Sequence, residues 1–183
     1  MPGVVAVGFA VFETAIGHCG IAWSEDAVVG SQLPEGDPER TRARLRAAFP
    51  DAVEREPSAL ARRAIEGVTA LLRGEDPDLS AVALDLSRVP PFHRRVYELA
   101  RTIPPGSTMT YGEVATRLGD PGSARAVGQA LGSNPFAPIV PCHRILAAGG
   151  KPGGFSARGG TATKRRMLEI EGCYLEPPAL FDV

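Results

Sequence analysis

The sequence has no apolar run approaching the roughly 20 residues that a membrane-spanning helix needs, so no part of it is expected to cross a membrane. It also lacks an apolar signal segment at its start, and its three cysteines (Cys19, Cys142, Cys173) are odd in number and far apart. Those two shortages argue against a disulfide framework and for a reducing, cytoplasmic setting. An excess of charge is missing as well. With a formal net charge of -1 there is no bulk drive toward nucleic acid, so any such binding must come from the placement of individual arginines. No internal repeat is visible. What the chain does have is length and apolar content: 183 residues, 44% hydrophobic, suffice for one ordinary domain or two small ones that fold without staples.

Residues 3–12, 16–23 and 28–33 are short and rich in valine, alanine and phenylalanine, and predict an antiparallel meander with turns at 15–17 and 24–26. Pro34 to Pro38 breaks the pattern, and 39–49 predicts a charged helix. A firmer helix follows Ser58 as N-cap, with Leu60, Ala64, Val68, Leu71 and Leu72 at helical spacing up to Gly74. Residues 81–86 predict one more strand. His18-Cys19 is the one pair here with metal-binding residue types. With no second Cys/His pair at finger spacing it reads as structural, and no metal is expected.

The character changes at Val89-Pro90-Pro91. Phe92, Val96, Leu99 and Ile103 share one helical face ahead of Pro104-Pro105-Gly106. Residues 112–118 then form a short helix closed by Gly119, and Ser123 can cap a second one with Ala124, Val127 and Leu131 inward. Two short helices about a Pro/Gly turn make a candidate helix-turn-helix, with 123–132 as recognition helix. Its small residues, Ser123, Ala126, Gly128 and Ala130, would let it approach a groove closely, with Arg125 as the one long cation to wedge into a base stack. The plain alternative is helix packing with Arg125 as a solvated charge.

The stretch 134–171 carries the chemistry. Ile139-Val140-Pro141 delivers Cys142-His143-Arg144, and a Gly-rich loop, 149–156, follows. A reactive cysteine needs a base to form thiolate and a third group to orient that base. His143 supplies the base, through a water rather than directly because adjacent side chains diverge, and Glu171 is the candidate orienter. Arg144 is expected to bond backbone carbonyls.

These residues, Asn134-Pro135 and Pro141-Cys142-His143-Arg144 with Tyr111-Gly112-Glu113-Val114-Ala115 and Ala124-Arg125-Ala126-Val127-Gly128 upstream, closely resemble the O(6)-alkylguanine-DNA alkyltransferases, also called methylated-DNA-protein-cysteine methyltransferases. The resemblance covers 92–172, and the earlier part looks like that family's variable first domain. It implies an α+β fold: a small N-terminal antiparallel-sheet scaffold with helices (1–88), a mainly helical DNA-binding and transfer domain holding the helix-turn-helix and the active-site cysteine (89–175), and a loosely ordered tail (176–183).

The function it implies is direct reversal repair. Alkylated guanine is flipped out of double-stranded DNA, approached from the minor groove, and Cys142 takes the alkyl group irreversibly, once per monomeric molecule, with no cofactor. Glu171 would orient His143, while Tyr111 and Ser156, beside Phe155, would handle the departing base. Arg125 would fill the gap in the stack, Ser123, Ala124, Ala126 and Gly128 would line the DNA, and Asn134 would tie the recognition helix to the acceptor segment. Departures from the family pattern lie at Ala137-Pro138, Phe155, Ala157 and two extra residues within 158–161, and bear on alkyl size. Two other readings stay open: a non-catalytic, alkyltransferase-like lesion binder, and a Cys-His hydrolase, which would also need an oxyanion hole.

Overall fold

The computed structural model of the chain describes residues 5–175. The expected tail, 176–183, and the first residues of the expected opening strand lie outside the described residues.

Strands β1 (Gly8–Thr14) and β2 (Gly17–Trp23) form a hairpin in register from Gly8 opposite Trp23 to Thr14 opposite Gly17, and β3 (Val28–Gln32) continues the meander against β2. Helix α1 (Pro38–Ala48) starts where Asp37 accepts a hydrogen bond from the Arg40 amide at 2.8 Å, with proline in its first turn. It carries the chain back across the sheet, so that β4 (Val53–Glu54) adds to β1 in parallel. The sheet order is β3-β2-β1-β4, and the purely antiparallel expectation fails at this edge because a helical crossover delivers the last strand. Helix α2 (Ala59–Leu71) is capped by Ser58, whose hydroxyl accepts from the Ala61 amide at 3.2 Å, and it turns Ala61, Ala64, Val68 and Leu71 inward.

The strand expected at 81–86 is not there. A 3-10 turn at Leu79–Ala81 replaces its start, and only Leu84 bridges to Val28. The Arg101 guanidinium instead takes the carbonyls of Leu79 and Val82, at 2.8 and 2.9 Å, one of them inside the expected strand.

Helix α3 (Pro91–Ala100) buries Val96, Tyr97 and Ala100, and Tyr97 donates its hydroxyl hydrogen bond to the Ala130 carbonyl at 2.6 Å. A two-residue strand β5 (Met109–Thr110) leads directly into α4 (Tyr111–Arg117), which Thr110 caps. After a 3-10 turn at Pro121–Ser123 comes α5 (Ala124–Gly132). Strand β6 (Ile145–Leu146) follows the Cys142–Arg144 turn and pairs in parallel with β5, Met109 opposite Ile145. That small ladder joins the start of the helix pair to the end of the cysteine segment.

Helix α6 (Gly160–Ile170) follows the Gly-rich loop. Gly159, at φ 87° where only glycine sits without strain, turns the loop into the helix, so the two extra residues are absorbed into its first turn. One apolar cluster runs from Ile21 and Trp23 through Val68, Val96 and Val127 to Val140 and Met167. Each such side chain contributes about 1.5–3 kcal/mol on burial, so the sheet and the helices stabilise one another across the sequence position 88/89. Among the described residues no helix is long and apolar enough to cross a membrane.

Candidate active site

Asn134, just past α5, folds the segment leading to Cys142 onto itself. Its Nδ2 donates to the Val140 carbonyl at 2.8 Å, and its Oδ1 accepts from the Phe136 amide at 2.9 Å. Pro141 then opens the Cys142–Arg144 turn, a bend too tight for an α-helix. Cys142 is 7% exposed. Burial pushes its thiol above the ordinary 9.0, opposed by the Asn134 side chain and the nearby Lys164 charge.

His143 and Arg144 converge on one carboxylate. His143 Nε2 lies 2.8 Å from Glu171 Oε2, while Arg144 donates from Nε to Oε1 and from its terminal nitrogen to Oε2, both at 2.8 Å. The other Arg144 terminal nitrogen bonds the Ile103 carbonyl at 2.7 Å. Burial alone would raise the Glu171 carboxyl, but the hydrogen bonds from Arg144 and His143 outweigh it and hold the group down to about 2. Burial keeps His143 below its ordinary 6.5 despite that carboxylate, so the ring is neutral. A neutral ring beside an ionised carboxylate carries its hydrogen on Nε2. Nδ1 is buried without a hydrogen-bond partner among the described residues and keeps its lone pair.

Lys164 is buried at 1% exposure, donating to the Ile145 carbonyl at 2.7 Å and the Gly154 carbonyl at 3.3 Å. Its ammonium lies 5.7 Å from the Tyr111 ring centre and 5.9 Å from that of Phe155, and burial lowers it to about 8. The Gly-rich loop lies so near Tyr111 that a Cβ on Gly153 would stand 2.7 Å from the tyrosine oxygen, at a φ of +71°. Sequence reading missed Lys164 as a site residue, and it missed the Arg144 clamp on Glu171. The signal for the first was present: Lys164, Leu168 and Glu171 stand at i, i+4 and i+7, which puts a lysine on a buried face.

A cavity of about 200 Å³ is bordered by Tyr111, Gly128, Leu131, Cys142, Phe155 and Ser156, uniting the helix pair with the acceptor segment. On α5, Arg125 is exposed and Ala124, Ala126 and Gly128 are half-buried, but Ser123 and Ala130 are buried, against the expected small exposed face. Nor does Ser123 cap α5 through its side chain. A capping residue needs extended backbone, whereas Ser123 continues the 3-10 turn at φ -94°, ψ 15°, and its hydroxyl donates back to the Asp120 carbonyl at 2.7 Å. The Cys19 of the early His-Cys pair is buried, which raises its thiol to about 12, with Thr14 at 3.7 Å, and no group of three metal-ligating side chains occurs among the described residues.

Fold and site together define an α+β protein whose buried cysteine, backed by a histidine-carboxylate-arginine cluster, opens into a cavity roofed by a helix pair. The family model described as 6-O-methylguanine DNA methyltransferase, DNA binding domain, matches residues 91–173. A methylated-DNA-protein-cysteine methyltransferase of Methanothermobacter thermautotrophicus is 34% identical over 157 residues, 86% of this chain and 81% of that protein. One of Mycobacterium tuberculosis is 47% identical over 108 residues, 59% of this chain and 63% of the relative. The crystal structure of the M. tuberculosis OGT in complex with DNA superposes with a TM-score of 0.73 at 36% identity, covering 90% of this chain and 92% of that one. The O6-methylguanine-DNA methyltransferase of Pyrococcus kodakaraensis does so at 0.69 and 28%, covering 90% and 99%. The chain belongs to the methylated-DNA-protein-cysteine methyltransferase family.

Proposed function

We propose that this enzyme repairs double-stranded DNA by moving an alkyl group from the O-6 position of guanine to Cys142, once per molecule. One observation carries the reading: Cys142 shares a cavity with Tyr111 and Gly128 of the helix pair, while the neutral His143 stands behind it on Glu171. Residues 89–175 hold DNA and perform transfer, 1–88 serve as scaffold, and the protein acts as a cytoplasmic monomer.

The helix pair approaches from the minor groove, with Ala124, Ala126 and Gly128 close to the backbone, Ser123 supporting them from below, and Arg125 entering the stack. The lesion swings into the cavity at a cost of a few kcal/mol, least for a base that already pairs badly. His143 Nδ1 draws the thiol proton through a water. The sulfur attacks the alkyl carbon, the S–C bond forms as the C–O bond breaks, and the electron pair leaves on guanine. Tyr111, with Ser156 and the cavity wall at Phe155, supplies the hydrogen bonds and proton that the departing base needs. Asn134 keeps the acceptor segment in register with α5. A thioether does not hydrolyse, so the protein is consumed, and no step calls for a metal or cofactor.

The test is to incubate the protein with duplex DNA carrying O6-methylguanine and to weigh it. The expected result is a gain of one methylene on the Cys142 peptide, stoichiometric and without turnover. Tight lesion binding with unchanged mass would replace this reading by the non-catalytic one.

A further inference from the structure

Helix α5 buries Val127, Ala130 and Leu131 and exposes Arg125, Gln129 and Gly132, which follow one another at i, i+4 and i+7 along one face. The transfer reading gives Arg125 a task and leaves Gln129 without one. Apart from Arg125, Gln129 is the only polar side chain in the nine residues of the helix. Its flanks are bare: a Cβ added to Gly128 or Gly132 would meet no atom of another element within 4 Å. The helix beneath it is fixed, because the buried Tyr97 hydroxyl donates to the Ala130 carbonyl at 2.6 Å. Gly132 also borders the cavity that holds Cys142, so the exposed face leads from Arg125 to the cavity rim with Gln129 between them.

Four residues at about 1.5 Å rise set Gln129 about 6 Å along the helix axis from Arg125. That is less than two base-pair steps of about 3.4 Å. With Arg125 in the place of the flipped nucleotide, the glutamine amide therefore lies at a pair next to the lesion. The minor-groove edge of an A·T pair presents acceptors only, adenine N3 and thymine O2, whereas a G·C pair adds the guanine N2 hydrogens as donors. A glutamine amide has an oxygen that accepts and a nitrogen that donates. On A·T it can use the nitrogen alone, and its oxygen loses its water without replacement. On G·C it makes both bonds, accepting from guanine N2 and donating to guanine N3. Resting on the minor-groove transfer reading above, we infer that Gln129 reads a base pair beside the lesion and makes the enzyme favour G·C over A·T there. The bias amounts to about fivefold or more, the lower end of what a two-bond base contact discriminates.

The neighbouring pair also changes the cost of flipping itself, whatever side chain faces it, so the test compares contexts between two chains. Single-turnover methyl transfer at subsaturating protein is measured on duplexes that differ only in the pair on the 5′ or the 3′ side of O6-methylguanine, with the natural full chain and with Gln129→Ala. Alanine suits this exposed helical position, and thermal melting is expected unchanged. The expected result is a ratio of G·C to A·T rates about fivefold or more higher in the natural chain than in the variant, at one flank at least. Equal ratios in the two chains at both flanks would overturn the inference. So would a natural-chain bias toward A·T relative to the variant, the mark of a glutamine pairing with adenine in the major groove. A natural chain that takes methyl from no duplex overturns the transfer reading itself.

Discussion

His143 Nε2 and Glu171 Oε2 stand 2.8 Å apart in the core, and that contact decides which ring nitrogen keeps a free lone pair. Because the carboxylate is ionised and the ring neutral, Nδ1 alone can accept a proton. Replacing His143 by Gln should slow transfer at neutral pH by about 100-fold to 10,000-fold, the usual worth of a general base. Partial recovery is expected at high pH, as the solvent ionises Cys142 directly from a thiol that burial holds above 9.0. A variant profile running parallel to the unmodified one over the whole pH range would mean that the imidazole is not the base.

Glu171 is also a structural group. Its side chain is 3% exposed and holds the Arg144 guanidinium, so Glu171→Gln leaves that buried charge unbalanced at a cost of about 3–5 kcal/mol. The pH dependence follows in sign. A carboxyl held from 4.5 down to about 2 stabilises the fold at any pH above 4.5, and loses that contribution as pH falls from 4.5 toward 2. The amount is on the order of 3 kcal/mol. His143, depressed below 6.5 by burial, adds a further loss that starts as pH drops through 6.5. Urea midpoints across pH 2–7 should therefore fall steeply for the natural chain and flatten below 4.5 for Glu171→Gln. A natural curve flat below 4.5 would contradict the paired carboxylate.

Much of the site was legible because its residues are close in sequence or fixed by a helix period. Cys142, His143 and Arg144 are consecutive, and Glu171 lies one helix away, on the face that buries Lys164, Met167 and Leu168. Strands β1 to β3 and the Ser58 cap of α2 were readable for the same local reasons. What escaped was set by partners far along the chain. The parallel edge strand β4 depends on where α1 delivers it, and the stretch 81–86 meets Arg101, some twenty residues on, at the Val82 carbonyl. Ser123 misled because an N-cap is a backbone conformation as well as a residue type. Lys164 was passed over because a lysine draws notice only once its face is known to be buried.

Arg125 is exposed on α5, so its replacement by alanine should leave stability within about 0.5 kcal/mol. Transfer from a lesion in duplex DNA should slow by tenfold or more, while transfer from the free O6-alkylguanine base, which needs no flipping, should not change. Equal rates on duplex for Arg125→Ala and the natural chain would remove the wedge role.

Lys164 acts on two things at once, and they separate experimentally. Its ammonium ties the Ile145 carbonyl to that of Gly154, fixing the loop against Tyr111, and its charge favours the Cys142 thiolate. Lys164→Met keeps the apolar stem but leaves a buried carbonyl without its donor, which costs about 1–3 kcal/mol. Losing a nearby cation raises a thiol, so the rate-versus-pH curve of the variant should move to higher pH. Losing the tie should speed amide hydrogen exchange at residues 153–156 without affecting β1 and β2. A moved pH curve with unchanged exchange assigns the effect to charge, and faster exchange with an unmoved curve assigns it to the loop. If neither moves, the buried lysine has no part in transfer.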